Sequence, residues 1–258
     1  MSKTKQAFAS GKAFIPFLTA GDPDLETTEQ LILAMAEAGA DLIEIGIPFS
    51  DPIAEGPVIQ EADIRALAGG TTTDGIFEMV ARVRTASQVP LALMTYMNPV
   101  YTYGVERFMT RCQEVGIDAL IVPDVPYEEK AELAGECQAH DVDLISMVAP
   151  TSQERAKMIA AEAEGFLYCV SSLGVTGVRS ELSTAIGELI AQVKQVKDIP
   201  CAIGFGIATP EQAQEMAAIS DGAIVGSAVV RLIAEHGRES VPYVTEYVRQ
   251  MKAAVRQA

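Results

Sequence analysis

Short apolar segments recur along the chain at intervals of about 25 to 40 residues, and most are followed by a stretch of helical periodicity. This alternation predicts repeated β–α units. The predicted strands cover residues 13–19, 41–47, 90–96, 119–125, 143–149, 166–172, 200–206 and 222–228. The helical patterns between them cover residues 25–39, 72–86, 105–116, 127–139, 152–165, 182–196 and 209–219.

Eight strands that alternate with helices in 258 residues are typical of an α/β fold of the closed (β/α)8 TIM barrel type. A doubly wound parallel sheet is the weaker alternative. The last helical pattern has a clear start, because Thr209 is followed by Pro210 and then by Gln212 in the capping-box spacing. No linker or low-complexity stretch interrupts the pattern, so residues 1–258 are predicted to form one domain.

Composition and charge exclude several classes of protein. Hydrophobic residues make up 49% of the chain and charged residues 21%, which is the balance of a globular protein with a large core. The net charge of −16 disfavours binding to nucleic acid or to an anionic membrane surface. No apolar stretch is long enough to span a membrane and no secretory signal is recognisable, so we expect a cytoplasmic protein. The four cysteines lie far apart without a CxxC pair, which favours buried free thiols.

A glutamate in the second predicted strand is the best candidate for catalysis. Side chains alternate along a strand, so Ile43 and Ile45 face the helices while Glu44 points into the barrel. None of the eight predicted strands contains a lysine or arginine to neutralise it. Burial without a counter-charge raises the pKa of a carboxyl, so Glu44 suits general acid/base catalysis. A purely structural glutamate is the alternative.

The segment GIPFSDPIAEGPVIQEAD, residues 46–63, is predicted to be a long irregular loop because its prolines and glycines oppose regular structure. It presents two further carboxylates, Asp51 and Glu55. Long loops inside compact domains are usually functional. Each carboxylate taken alone is equally well explained as a solvated surface charge.

Glycine-containing loops follow the last three predicted strands, at residues 171–177, 204–212 and 225–230. Barrels of this kind bind phosphate at the last loops and at the N-terminus of a short helix. Basic residues are almost absent from these loops, so main-chain amides and the helix dipole are predicted to hold a phosphate. Glycine that serves only a tight turn is the alternative.

The remaining residue types exclude other chemistries. His140 and His236 fall at predicted helix ends, which disfavours a histidine metal centre and a Ser-His-Asp triad. The strands offer no lysine for a Schiff base. We therefore expect metal-free acid/base chemistry on a phosphorylated small molecule. Side chains near the strand ends either line an apolar pocket or belong to the plain core; they are Phe17, Met94, Tyr96, Tyr168 and Phe205.

Six motifs occur in the same order in a known family. They are PFLTAGDP (16–23), EIGIPFSDPIAEGPVIQ (44–60), PDVPYEE (123–129), GVTG (174–177), GFGI (204–207) and VGSA (225–228). On these motifs, which extend over nearly the whole chain, the sequence resembles tryptophan synthase α subunits. The resemblance implies cleavage of indole-3-glycerol phosphate to indole and glyceraldehyde 3-phosphate by a retro-aldol reaction.

The resemblance also implies a partner and a set of site residues. The partner is a β subunit that carries pyridoxal phosphate and consumes the indole in an α2β2 tetramer, while this chain needs no cofactor of its own. Glu44 matches the catalytic glutamate and Glu55 the second catalytic carboxylate. Matches to the substrate pocket are Phe17, Tyr96, Tyr168 and Phe205 for indole and glycerol, Thr176 for the loop that closes over them, and Gly177, Gly206, Gly226 and Ser227 for phosphate.

Two features depart from the familiar family pattern. Glu55 stands where the family most often has aspartate, so Asp51 and Asp124 remain alternatives for the second carboxylate. The segment before Phe14 is short and leaves little room for the helix that closes the bottom of the barrel in longer members.

Two alternative functions remain open. One is a phosphate-sensing regulatory subunit that activates a β partner, and the other is a different phosphosugar barrel enzyme.

Overall fold

Parallel strands surrounded by helices form the architecture of the chain. The computed structural model describes residues 2–150, 153–170, 179–204 and 206–258. The strands are β1 (Ala13–Thr19), β2 (Ile43–Gly46), β3 (Leu91–Met94), β4 (Ala119–Ile121), β5 (Asp143–Leu144), β6 (Ser146–Val148), β7 (Leu167–Val170), β8 (Cys201–Gly204) and β9 (Gly222–Val225).

Helices follow most of the strands and cover the outside of the sheet. They are α1 (Lys3–Gln6), α2 (Leu25–Glu37), α3 (Pro57–Ala68), α4 (Thr73–Ala86), α5 (Met97–Tyr103), α6 (Val105–Val115), α7 (Ala131–Ala139), α8 (Gln153–Glu162), α9 (Arg179–Val196), α10 (Pro210–Ala218), α11 (Ser227–His236) and α12 (Val241–Val255). Among these described helices, none has the length and apolarity that crossing a membrane requires.

The strands close into a barrel, which confirms the predicted (β/α)8 architecture. Their order is β5-β4-β3-β2-β1-β9-β8-β7-β6, and every pairing is parallel. Only Ile145 separates β5 from β6, so together they form the fifth predicted strand. Its first part pairs with β4 and its second part with β7, and this joins the two edges of the sheet.

Each face of the barrel has its own core, as the alternation along the strands predicts. Ile43, Ile45 and Leu93 belong to the large cluster between strands and helices. The smaller interior cluster contains several alanines beside Ile15 and Leu42. Because five of the twelve buried residues in this cluster are alanines, the interior leaves space for larger functional groups at the carboxyl-terminal end of the barrel.

Four helices were absent from the sequence prediction, namely α1, α3, α5 and α12. The prediction that residues 46–63 form one irregular loop is therefore wrong in its second half. Proline at the first position of α3 fits a helix start, since its missing N–H is one that a helix leaves unpaired there. The capping box at Thr209 is confirmed, because the Thr209 and Gln212 side chains each bond the other residue's main chain.

The short N-terminal segment does close the bottom of the barrel, contrary to expectation. After the four-residue helix α1, Ala7 and Phe8 pack on the interior cluster. The Phe8 and Phe166 rings lie 5.5 Å apart between centroids, and the hydroxyl of Thr4 donates a hydrogen bond to Asp143. Two apolar side chains after one helical turn are enough to cover this end.

A buried ion pair ties the last helix to the bottom of the barrel. Lys252 on α12 donates to the carboxylate of Asp41 and to the main-chain carbonyl of Lys12. The same carboxylate accepts the N–H of Phe14 on β1 at 2.7 Å. Lys252 is 5% exposed, so the pair is held together in a medium where an unpaired charge is costly.

Lys252→Met is expected to lower the free energy of unfolding by about 3 kcal/mol, because Asp41 would be left buried without its cation. Chemical denaturation followed by circular dichroism measures this. In a double-mutant cycle, adding Asp41→Asn should cost much less than it costs in the wild type. Additive losses would mean that the two side chains do not act as a pair.

Candidate active site

Glu44 occupies the interior of the barrel, as its position in β2 predicts. The side chain is 1% exposed, and its Oε1 atom has no hydrogen-bond partner among the described residues. Removal from water raises the pKa of this carboxyl to about 8. Glu44 is therefore a neutral acid at neutral pH, able to give a proton to a bound molecule and to take one back.

Two predicted pocket aromatics lie close to this carboxyl. Phe17 on β1 is directly opposite Glu44 in the strand register and is 3% exposed. The pKa of the buried Tyr168 phenol is raised, first by burial and then by the nearby charge of Glu44. The structure thus brings Glu44 together with rings on both sides of the barrel, one on β1 and one on β7.

Glu55 lies immediately before α3, at the end of a loop that is fixed by two hydrogen bonds. The N–H of Ala54 donates to the Tyr96 hydroxyl at 3.0 Å, and the Gln60 side chain donates to the Glu55 carbonyl at 2.8 Å. Tyr96 is 2% exposed, and burial raises its pKa to about 12. One carboxyl oxygen of Glu55, Oε2, is buried and has no hydrogen-bond partner in the part of the chain that the structure describes.

The structure adds one residue that sequence reasoning missed, Asp63 on α3. Its side chain is 3% exposed and lies near the Glu55 side chain. Burial and the adjacent Glu55 raise the pKa of Asp63 to about 8, and burial also raises the pKa of Glu55. The site therefore holds two further acidic groups besides Glu44.

Asp63 was missed because its helix was read as part of the loop. The signal was present, since Pro57 is followed by apolar residues at helical spacing, of which Ala62 and Ala66 are fully buried. Val58 and Ile59 pack on Phe17 and Val230. A helix packed in this way turns Asp63 toward the protein interior.

Three of the predicted phosphate positions, Gly206, Gly226 and Ser227, follow the carboxyl-terminal ends of β8 and β9. Gly226 precedes α11 and Ser227 is its first residue, so the unpaired amides of a ten-residue helix begin here. A Cβ atom on Gly226 would lie 3.4 Å from Cδ1 of Phe17, which places this helix end beside the Phe17 ring. Gly206 has a φ of +79°, a conformation that other residues rarely adopt.

Three predicted site residues lie outside the described part of the chain: Thr176, Gly177 and Phe205.

Asp51 and Asp124, the alternatives for the second catalytic carboxylate, have surroundings that differ from those of Glu55. Asp51 is exposed and accepts a hydrogen bond from Ser50, while Asp124 accepts the main-chain N–H of Met97 at the start of α5. In the described ranges, no group of three histidine, cysteine or acidic side chains is arranged to hold a metal ion.

Comparison with known proteins places this arrangement in a family. The family model described as tryptophan synthase alpha chain matches residues 2–256. The tryptophan synthase alpha chain of Lacticaseibacillus casei is 45% identical over 255 residues, with 99% of this chain and 96% of that protein covered. The tryptophan synthase alpha chain of Alkaliphilus metalliredigens is 50% identical over 243 residues, with 93% of this chain and 91% of that protein covered.

Solved structures agree with the sequence relatives. Tryptophan synthase subunit alpha from Legionella pneumophila superposes with a TM-score of 0.91 at 35% identity, and the match covers 100% of both chains. A chain of ligand-free tryptophan synthase from M. tuberculosis gives a TM-score of 0.89 at 33% identity, covering 99% of this chain and 100% of that one. Since the match extends over almost every residue in sequence and in fold, the chain belongs to the tryptophan synthase alpha chain family.

Proposed function

We propose that the chain cleaves indole-3-glycerol phosphate to indole and glyceraldehyde 3-phosphate, as the α subunit of tryptophan synthase. The observation that carries this proposal is the buried carboxyl of Glu44 inside the barrel, whose pKa is raised and whose Oε1 atom has no partner among the described residues. Phe17 lies opposite Glu44 in the strand register and beside the amides of Gly226. An acid/base group, an apolar ring surface and an anion-binding helix end therefore adjoin one another.

Glu44 performs the proton transfers. It donates its proton to C3 of the indole ring, and the resulting carboxylate removes the proton of the glycerol hydroxyl next to the ring. The bond between indole C3 and the glycerol carbon then breaks, and its electron pair returns to the ring. The products are indole and an aldehyde, and Glu44 ends with a proton as it began.

Glu55 stabilises the positive charge that develops on the indole ring when C3 is protonated. Protonation of C3 makes the ring nitrogen cationic, and a carboxylate that accepts its N–H stabilises this state more than the ground state. The Oε2 atom of Glu55 has no hydrogen-bond partner among the described residues, which supports this role. Asp124 is already engaged with the main chain of Met97, so Glu55 is the better candidate for the second carboxylate.

The other predicted residues bind the substrate. Phe17, Tyr96, Tyr168 and Phe205 enclose the indole and glycerol groups. The amides near Gly177, Gly206, Gly226 and Ser227 hold the phosphate, and Thr176 contributes to the loop that closes over the site. The position of Gly226 at the start of α11 supports the phosphate assignment, because helix N-termini attract anions.

The partner is a β subunit that carries the pyridoxal phosphate, in an α2β2 assembly. Its contact surface on this chain comprises residues 48–57 and 97–104. Each segment exposes a large apolar side chain, with Ile53 79% exposed and Tyr101 75% exposed. Exposed apolar groups of this size mark interaction surfaces, and the exposed Asp51, two residues before Ile53, offers a partner for a basic residue.

Glu44→Gln is expected to reduce indole formation by a factor of about 10² to 10⁴, because an amide keeps the shape but transfers no proton. Indole release is measured with the chain alone and with a β subunit. A Glu44→Gln variant that retains more than a tenth of the wild-type rate would refute the assignment.

The pH dependence of the wild type gives a second prediction. The raised pKa keeps Glu44 protonated below pH 8, so kcat/KM should fall as the pH rises through about 8.

The phosphate prediction concerns Gly226 and Gly206. Valine at either position should weaken binding of glycerol 3-phosphate at least tenfold, because the side chain keeps the anion from the amides. Isothermal titration calorimetry measures the affinity. Gly237→Val is the control, since Gly237 also has a positive φ but lies at the other end of α11. Equal affinities in all three variants would place the phosphate elsewhere.

The interface prediction concerns Ile53. Ile53→Ser should weaken binding of the β subunit about tenfold, since it removes an exposed apolar anchor, and Asp51→Ala should reduce activation of the β subunit. Tyr243→Ala on α12 is the control, because this side chain is 48% exposed but lies outside the proposed surface. Unchanged affinity and activation in the Ile53 and Asp51 variants would show that this loop does not couple the subunits.

A further inference from the structure

An ion pair with a buried carboxylate joins the loop after β1 to helix α3. Arg65 on α3 donates two hydrogen bonds to Asp22, from Nε to Oδ1 at 2.8 Å and from Nη2 to Oδ2 at 2.7 Å. Asp22 is 2% exposed and belongs to the PFLTAGDP motif, in which the proposed reaction uses only Phe17. Because the two bonds are parallel, the pair fixes both the distance and the direction between the loop and the helix.

The loop that carries Asp22 is attached to the barrel by main-chain hydrogen bonds. The N–H of Ala20 donates to the carbonyl of Gly46 at the end of β2, at 2.9 Å. The N–H of Gly21 donates to the hydroxyl of Thr28 on α2, at 3.0 Å. Asp22 is therefore a fixed anchor at the carboxyl-terminal end of β1, and Arg65 ties α3 to it.

Helix α3 has little other support. Its buried side chains are Ala62, Asp63 and Ala66, which remove little apolar surface from water. Ile64 is 66% exposed and Leu67 is 38% exposed, so the outer face of the helix is uncovered. Among the described elements, α3 makes extensive contacts with β1 and α11 only. The bond to Asp22 is therefore a major determinant of how this helix lies on the barrel.

The N-terminal half of α3 forms a wall of the proposed substrate pocket. Ile59 packs in one cluster with Phe17 and Val230. A Cβ atom on Gly226 would lie 3.4 Å from Cδ1 of Phe17 and 3.7 Å from Cδ1 of Ile59. Arg65 follows Ile59 on the same helix, about 9 Å farther along its axis. A change of helix tilt at Arg65 therefore moves Ile59 relative to the start of α11, where the phosphate is proposed to bind.

We propose that Asp22 and Arg65 are positioning residues for substrate binding: their ion pair sets the tilt of α3 and so holds Ile59 and Phe17 clear of the phosphate site at the start of α11. This inference rests on the function proposed above. Neither residue contacts the substrate or transfers a proton, and their effect reaches the site through the helix. Without the pair, the weakly buried helix shifts and the phosphate site loses its shape.

The experiment compares Arg65→Met with Arg65→Lys in the full chain, with glycerol 3-phosphate as the probe in isothermal titration calorimetry. Methionine removes both bonds to Asp22, so affinity should fall about tenfold or more, since displacements of roughly 1 Å have effects of this size. Lysine keeps a cation that donates to Asp22, so affinity should stay within about threefold of the wild type. Wild-type affinity in Arg65→Met would overturn the proposal.

A double variant separates positioning from stability. Arg65→Met leaves Asp22 buried without a cation and lowers the free energy of unfolding, whereas adding Asp22→Asn removes the buried charge. We expect the double variant to regain most of the lost stability in chemical denaturation but to bind glycerol 3-phosphate as weakly as Arg65→Met. Recovery of affinity together with stability would overturn the proposal, because the pair would then act only on folding. The double variant also decides the question if Arg65→Met does not fold.

Two further variants are matched controls. Arg82→Met removes another bond between an arginine and a carboxylate, the one from α4 to Glu29 on α2 at 2.7 Å, and should leave the affinity unchanged. Lys252→Met breaks the buried pair at the bottom of the barrel and should lower stability without changing the affinity. A loss of affinity in either control as large as that in Arg65→Met would overturn the proposal, because the effect would not be specific to α3.

The outcomes also separate this inference from the proposed function. A wild-type chain that binds no glycerol 3-phosphate and releases no indole with the β subunit would refute the function, and the inference with it. Normal binding and release by the wild type, with an affinity that does not respond to loss of the ion pair between Asp22 and Arg65, would refute only the positioning role.

Discussion

The carboxyl of Glu44, buried in the barrel without a counter-charge, is the constraint on which the rest of the site depends. The interior has room for it because alanines line much of the barrel wall. Its environment makes ionisation costly, so near neutral pH the group carries a proton. A lysine or arginine on any strand would have made the same glutamate a structural ion pair. The absence of basic residues from the predicted strands is thus as important as the glutamate itself.

Raised pKa values also reconcile an acidic protein with an anionic substrate. The chain carries a net charge of −16, which disfavours the approach of a phosphate ester. Glu44 and Asp63 both have pKa values near 8, so at neutral pH neither adds a full negative charge inside the site. The N-terminus of α11 offers unpaired amides instead of basic side chains. Local dipoles and suppressed ionisation together make the site compatible with phosphate.

The loop after β2 connects the site with the proposed partner surface. Tyr96 holds this loop through the N–H of Ala54, and its ring lies 5.4 Å from that of Phe49 between centroids. Ile53, next to Ala54, is exposed on the outer side, while Glu55 on the other side turns inward. A protein that contacts Ile53 therefore acts two residues away from the Glu55 carboxylate. Such proximity gives the coupling of the two subunits a short physical route.

The sequence by itself determined the barrel and the place of Glu44 in it, since apolar periodicity sets the strands and the two-residue alternation sets the side of each strand. The capping box at Thr209 was equally readable, because all of its bonds are local. Only the tertiary structure decided that the helix beginning at Pro57 turns Asp63 toward Glu55. It also decided that Phe8 closes the bottom of the barrel on Phe166. These contacts join residues whose distance in space depends on the packing of the whole barrel, so no local pattern of apolar and polar positions encodes them.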